Sequence, residues 1–282
     1  TGAITPVARL EEVNLGGVLI NNATLHNFDE INKKNIGVGD LVQIQRAGDV
    51  IPQVTRLIEK SKKSINQIQP PKNCPVCNSP AIKEKDEAVL RCTNNTNCYA
   101  QKLGQIVHFI SKKSLNIDGF GEKQAKQFMD LKFIDNVVDI FQINQFRKEI
   151  IKLEGWGELS YNNLINSIEK SKDVTLEKFI FSLGIRYVGE TISSILANEF
   201  ISIKNFISSI NKTDLLSNVD GLGPKAVNSI KSYFSSKQNF DLVSQLSAIV
   251  KIEKVKFPSI KGFFSNKKIV FTGTLCTSIG KS

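Results

Sequence analysis

The octapeptide NIDGFGEK at residues 116–123 recurs as NVDGLGPK at 218–225, and this recurrence limits the possible folds of the 282-residue chain more than any other feature. Between the two copies lie LEGWGE (153–158) and the looser LGIRYVGE (183–190), so that glycines fall at 121, 157, 189 and 223, spaced 36, 32 and 34 residues apart. A near-constant period of this size marks stacked supersecondary units, none of which buries its apolar face alone. The unit is two helices around a turn. Ile106, Phe109 and Ile110 before the first turn, Ala125, Phe128 and Met129 after it, and Ala226, Ile230 and Phe234 after the last all keep helical spacing. The alternative, a nucleotidyl-transfer site of the lysine-x-aspartate-glycine type, fails because both copies carry asparagine, Asn116 and Asn218, at the nucleophile position.

Apolar-x-Gly-apolar-Gly followed by a helix resembles the helix-hairpin-helix module. Glycine permits φ > 0 and close backbone approach, and amides at the following helix start point at phosphate oxygens. Candidate phosphate-binding residues are therefore Gly119, Gly121 and Lys123; Gly155 and Gly157; Gly184, Arg186 and Gly189; and Gly221, Gly223 and Lys225. Glu158 weakens the second hairpin as a phosphate site, whereas Arg186 within the turn favours the third. Trp156 reads as packing.

Four of the five cysteines share one window: Cys74-x2-Cys77, fourteen residues, then Cys92-x5-Cys98. Four thiolates suit a tetrahedral zinc ion and leave no open coordination position, so the metal is structural. Two disulfides are the competing reading, disfavoured in a reducing compartment. The window is too short to bury a core, so ligation supplies most of its folding energy. Cys276 reads as a small buried apolar residue.

Residues 1–58 read as short strands, AITPVARL, GGVLINN, DLVQIQRAGD and VIPQVTRLI, punctuated by glycine and Asn/Asp. A small Greek-key barrel fits them, a fold that commonly presents a face to oligonucleotides. His26 is isolated from any catalytic constellation and reads as a hydrogen-bonded structural residue. A final strand, KKIVFTGTL, follows a linker near the end. The net charge of +10 and pI near 9.3 favour an anionic partner, nucleic acid first. No long apolar run or leader-like segment is visible, so a soluble cytosolic chain is expected; the absence of an initiator methionine suggests a fragment.

TGAITPVARLE, NATLHN and RAGDVIPQV, with the four cysteines, the four hairpins and KKIVFTGTL, resemble the carboxy-terminal portion of bacterial NAD-dependent DNA ligase. The resemblance implies a multidomain α+β fold: an OB-fold barrel lacking its amino-terminal strands (1–67), a four-cysteine zinc finger (68–100), an all-α helix-hairpin-helix domain (101–256), and a linker with the start of a BRCT domain (257–282). It places Asn22, Thr24, His26 and Arg46 among DNA-binding residues. It also implies nick sealing through an adenylated lysine, with NAD and Mg serving the full-length enzyme. That lysine would lie upstream, so no catalytic residue is expected within this chain. Expected partners are nicked duplex DNA and an upstream adenylation domain, with a monomeric state and a bacterial cytosol or nucleoid location. Two alternatives remain: a non-catalytic DNA-binding module of another repair or recombination factor, and a zinc hydrolase, which needs an open metal position.

Overall fold

The computed structural model describes residues 2–47, 51–63, 68–85, 87–210 and 213–255. The KKIVFTGTL strand, with the BRCT assignment and Cys276, lies outside the described residues.

The amino-terminal sheet contains β2 (Val7–Leu15), β3 (Val18–Thr24), β4 (Leu41–Ala47) and β5 (Ile51–Glu59) in the order β2-β3-β5-β4, curled into a half-barrel. Gly16 and Gly17, at φ 62° and 82°, make the two-residue turn that joins β2 to β3. Ala23 of β3, Leu25 just after it and Val54 of β5 face a small core completed by Ile31 and Ile36. Ile31 belongs to α1 (Phe28–Lys34), a helix not anticipated from the sequence. Its signals are local: Asn27 Oδ1 accepts from the Glu30 amide at 2.8 Å, and Asn35 ends the helix in the left-handed region.

The stretch AITPVARL, expected as one barrel strand, divides at Pro6. Its first part, β1 (Ala3–Ile4), leaves the barrel and pairs antiparallel with β7 (Leu90–Cys92), which pairs in turn with β6 (Ala81–Lys83). A proline donates no ladder hydrogen bond, so the chain changes sheets there.

The remainder is helical: α2 (Tyr99–Ile110), α3 (Glu122–Asp130), a 3₁₀ segment (Asp139–Phe146), α4 (Arg147–Ile150), α5 (Glu158–Ser171), α6 (Leu176–Ser182), α7 (Glu190–Phe200), α8 (Ile203–Ile210), α9 (Thr213–Ser217), α10 (Pro224–Ser235) and α11 (Lys237–Ile249). One continuous apolar core runs through these helices, from Ile106 to Val250, and includes every helical-face residue expected around the first and last turns. The domain is not wholly α. Asp173–Thr175 (β8) and Lys251–Glu253 (β9) form a two-stranded parallel sheet that ties its carboxy-terminal end to its middle.

Candidate metal centre and nucleic-acid interface

The thiols of Cys74, Cys77, Cys92 and Cys98 lie within 4.8 Å of one another, Cys77 and Cys92 at 3.5 Å. A tetrahedral zinc with bonds of ~2.3 Å needs sulfurs about 3.8 Å apart, so the donor set fits the ion by number, type and spacing. The tight turn that holds the first pair bonds the Cys74 amide to the Ser79 carbonyl (2.7 Å) and passes through Asn78 at φ 57°. Hydrogen bonds from Ser79 draw the Cys77 thiol down to about 6. Burial pushes Cys92 up to about 12 and raises Cys98. Cys98 is also the N-cap of α2, its carbonyl accepting from the amides of Gln101 and Lys102. A metal held by Cys98 therefore fixes where the helical domain begins.

The four hairpins share one register. Apolar pairs Ile117/Phe120, Leu153/Trp156, Ile185/Val188 and Val219/Leu222 enclose each turn. Gly119, Gly155 and Gly221 take φ of 78°, 79° and 82°, and two residues later Gly121, Gly157 and Gly223 cap the next helix in extended conformation. The first carbonyl-bonded amides are those of Ala125 and Tyr161 in α3 and α5, so the preceding amides face outward along the helix axis.

The third turn departs from this pattern. Gly189 caps α7 as expected, but the left-handed position is occupied by Tyr187, at φ 63°, and not by a glycine. Gly184, read from the sequence as the hairpin's first glycine, sits earlier, past the end of α6, with His108 Cδ2 3.4 Å from where its Cβ would stand. Arg186 is turned toward the zinc finger. Its Nη1 donates to Glu84 Oε1 at 2.9 Å and its Nη2 to Glu87, whose carboxylate also accepts from the Tyr187 hydroxyl.

The same register pairs Lys123 with Leu159, Thr191 and Lys225 at the second helical position. Lys123 and Lys225 are exposed, and Leu159 is 76% exposed. Glu158, which weakened the second hairpin in the sequence, pairs with Arg147 at 2.7 Å, and Glu190 with Lys113 at 2.6 Å. The first turn of α10 carries no acidic residue.

On the barrel, Asn22 and Thr24 lie on the face opposite Ala23. Cross-strand neighbours extend that face into a polar row: Arg9 opposite Asn22, Gln53 beside Thr24, and Gln45 opposite Gln53. His26 Nε2 is 2.8 Å from Gln53 Oε1 and its amide donates to Thr24 Oγ1, which is the hydrogen-bonded role expected of it. Arg46 is not brought to this row. Strand alternation puts it with Val42 and Ile44, and its Nη1 reaches toward the Gly16 turn. Sequence reasoning missed Arg9, Gln45 and Gln53, whose shared face depends on pairing between distant strands.

Residues 1–66 match the NAD-dependent DNA ligase OB-fold domain, 73–100 the NAD-dependent DNA ligase C4 zinc finger domain, and 178–243 the helix-hairpin-helix motif. The DNA ligase of Psychrobacter cryohalolentis is 45% identical over 201 residues, 71% of this chain and 29% of that protein. The DNA ligase of Gluconobacter oxydans is 44% identical over 200 residues, covering 71% and 29%. That of Rickettsia bellii (strain OSU 85-389) is 45% identical over 205 residues, covering 71% and 30%. The chain thus spans less than a third of the length of these relatives.

Proposed function

Because the chain belongs to the NAD-dependent DNA ligase family through its OB-fold and C4 zinc-finger domains, we propose that it is the duplex-gripping part of a nick-sealing ligase. The observation that carries this reading is the common geometry of the turns at 119–121, 155–157 and 221–223, each an exposed glycine in the left-handed region followed two residues later by an extended glycine that caps a helix. The amides ahead of Ala125 and Tyr161 point along α3 and α5, and α10, which opens on Pro224 and bonds the Ala226 amide to Gly223, offers that of Lys225. Such amides and the exposed Lys123 and Lys225 bind phosphates, which position a duplex without reading its sequence.

The polar row Arg9, Asn22, Thr24, Gln53 and Gln45, with His26 buttressing Gln53, is the barrel's DNA-facing surface. The amides of Asn and Gln both donate and accept, so they suit sugar and base-edge oxygens in a groove more than a row of phosphates. Zinc, held by Cys74, Cys77, Cys92 and Cys98, supplies folding energy and no open coordination position for hydrolysis. Nick sealing itself, with NAD and Mg, belongs to the whole enzyme, whose adenylation domain supplies the nucleotidyl lysine. We take 1–67 as the barrel, 68–100 as the zinc finger and 101–256 as the helical domain, with α2 beginning at Tyr99 and β1 joining the sheet of the finger.

The test is equilibrium binding of the zinc-loaded chain to nicked, intact and single-stranded DNA of equal length. Binding to both duplexes well above that to the single strand supports the reading. Equal binding to all three, or preference for the single strand, refutes it.

A further inference from the structure

Tyr187 occupies a backbone conformation that three equivalent positions reserve for glycine, and bulky side chains rarely adopt it. A bulky residue persists in such a position where surrounding contacts over-determine it. Here its hydroxyl donates to Glu87, ninety-nine to a hundred residues away in sequence from the arginine and tyrosine that reach it. The Arg186 guanidinium stacks 4.7 Å from the Tyr187 ring centroid and bridges Glu84 and Glu87, while Arg91 Nε completes the cluster on Glu87 at 3.4 Å. Glu84, Glu87 and Arg91 belong to the β6–β7 hairpin of the zinc finger.

We propose that the third hairpin is a latch rather than a phosphate site: Arg186 and Tyr187 are positioning residues that fasten the zinc finger to the helical domain. The finger is then held at two separated points, by the chain at Cys98, where α2 starts, and by this cluster at the β6–β7 hairpin. One attachment leaves a pivot; two remove it. The finger is also joined to the barrel segment, through the pairing of β1 with β7 and through Lys83 and Asp29 at 2.6 Å. The latch therefore sets the direction in which the barrel's polar row faces relative to the other three hairpins. That consequence for DNA rests on the proposed function, but the latch itself does not.

The two roles of Arg186 make opposite predictions when its acidic partners are removed. Wild type, R186A, E84Q/E87Q and the triple variant are compared, zinc-loaded, in amide hydrogen exchange at residues 81–83 and 90–92 and in duplex binding. A latch predicts that R186A and E84Q/E87Q each speed exchange roughly ten- to a hundredfold, the scale of losing hydrogen bonds between charged groups, and that the triple variant adds little. Both should weaken duplex binding. A phosphate-binding Arg186 predicts instead that E84Q/E87Q leaves binding unchanged or tightens it while R186A weakens it, and that result overturns the proposal.

Y187G guards against misfolding. Glycine takes the left-handed conformation without strain and is what the other hairpins carry, so faster exchange in the finger reports a lost latch and not a broken turn. Unchanged exchange in Y187G and R186A overturns the latch. If no form binds DNA, the proposed function fails, and the exchange measurements still decide for or against the latch.

Discussion

Trp156 donates its indole N–H to Gln127 Oε1 at 3.1 Å and lays its ring 5.0 Å from that of Phe128. The second hairpin is thereby bolted to the helix that follows the first, and the indole is a packing element and not a free base-stacking platform. The third and fourth hairpins are paired in the same sense, with Ile195 Cδ1 of α7 lying 2.9 Å from where a Cβ on Gly221 would stand.

Trp156→Ala should cost about 3 kcal/mol of helical-domain stability, the usual scale for truncating a packed aromatic. Trp156→Phe, which keeps a ring and loses the hydrogen bond, should cost about 1 kcal/mol. Urea unfolding followed by far-UV circular dichroism reads both. Equal, negligible losses would show that the contact between hairpins carries no stability.

Leu159 stands where the first and fourth hairpins carry lysine, so L159K completes the set. The added cation should tighten duplex binding at low salt and steepen the log–log salt dependence by about 0.9, one phosphate contact on B-form DNA. An unchanged slope would place the second hairpin away from the backbone. L159A should leave the slope as it is.

Chelating the zinc should release more than the finger. The Gln101 and Lys102 amides donate to the Cys98 carbonyl, so they should lose exchange protection when Cys98 is no longer held, while the core around Phe128 and Ile230 keeps its own. C98S should reproduce this pattern. Retained protection at Gln101 and Lys102 in the metal-free protein would separate metal ligation from the start of α2.

The Tyr187 hydroxyl, with the charge of Arg186, holds the Glu87 carboxyl below the usual carboxylate range. A depressed carboxylate stabilises the folded state above its ordinary pKa and loses that contribution as pH falls through its lowered value. Y187F should therefore raise the Glu87 midpoint toward the ordinary value in a carboxyl carbon NMR titration. No movement would mean that the hydroxyl does not engage Glu87 in solution.

The repeat made the hairpins legible because each turn needs the same backbone exception, and glycine writes that exception into the sequence. It misled at the third hairpin for the same reason. Gly184 drew attention while Tyr187 held the left-handed position, and only the apolar pair Ile185/Val188, spaced like Ile117/Phe120, could have corrected the register. The four cysteines were legible because ligand type and spacing are local. The barrel's polar row and the Arg186 contacts were not, since they join residues through strand pairing and domain docking that no local pattern records. The splitting of the first strand at Pro6 was signalled by the proline, but its transfer to the zinc-finger sheet was not.

The most direct measurement of the central claim is the salt dependence of binding to an intact duplex, for the zinc-loaded chain and for K123A/K225A. Hairpins that grip phosphates predict a steep linear fall of log affinity with log salt, shallower in the double variant by roughly 1.8, at about 0.9 per lost contact. The weakening should be the same for unrelated DNA sequences. A flat salt dependence, or identical slopes for the two proteins, would contradict the account.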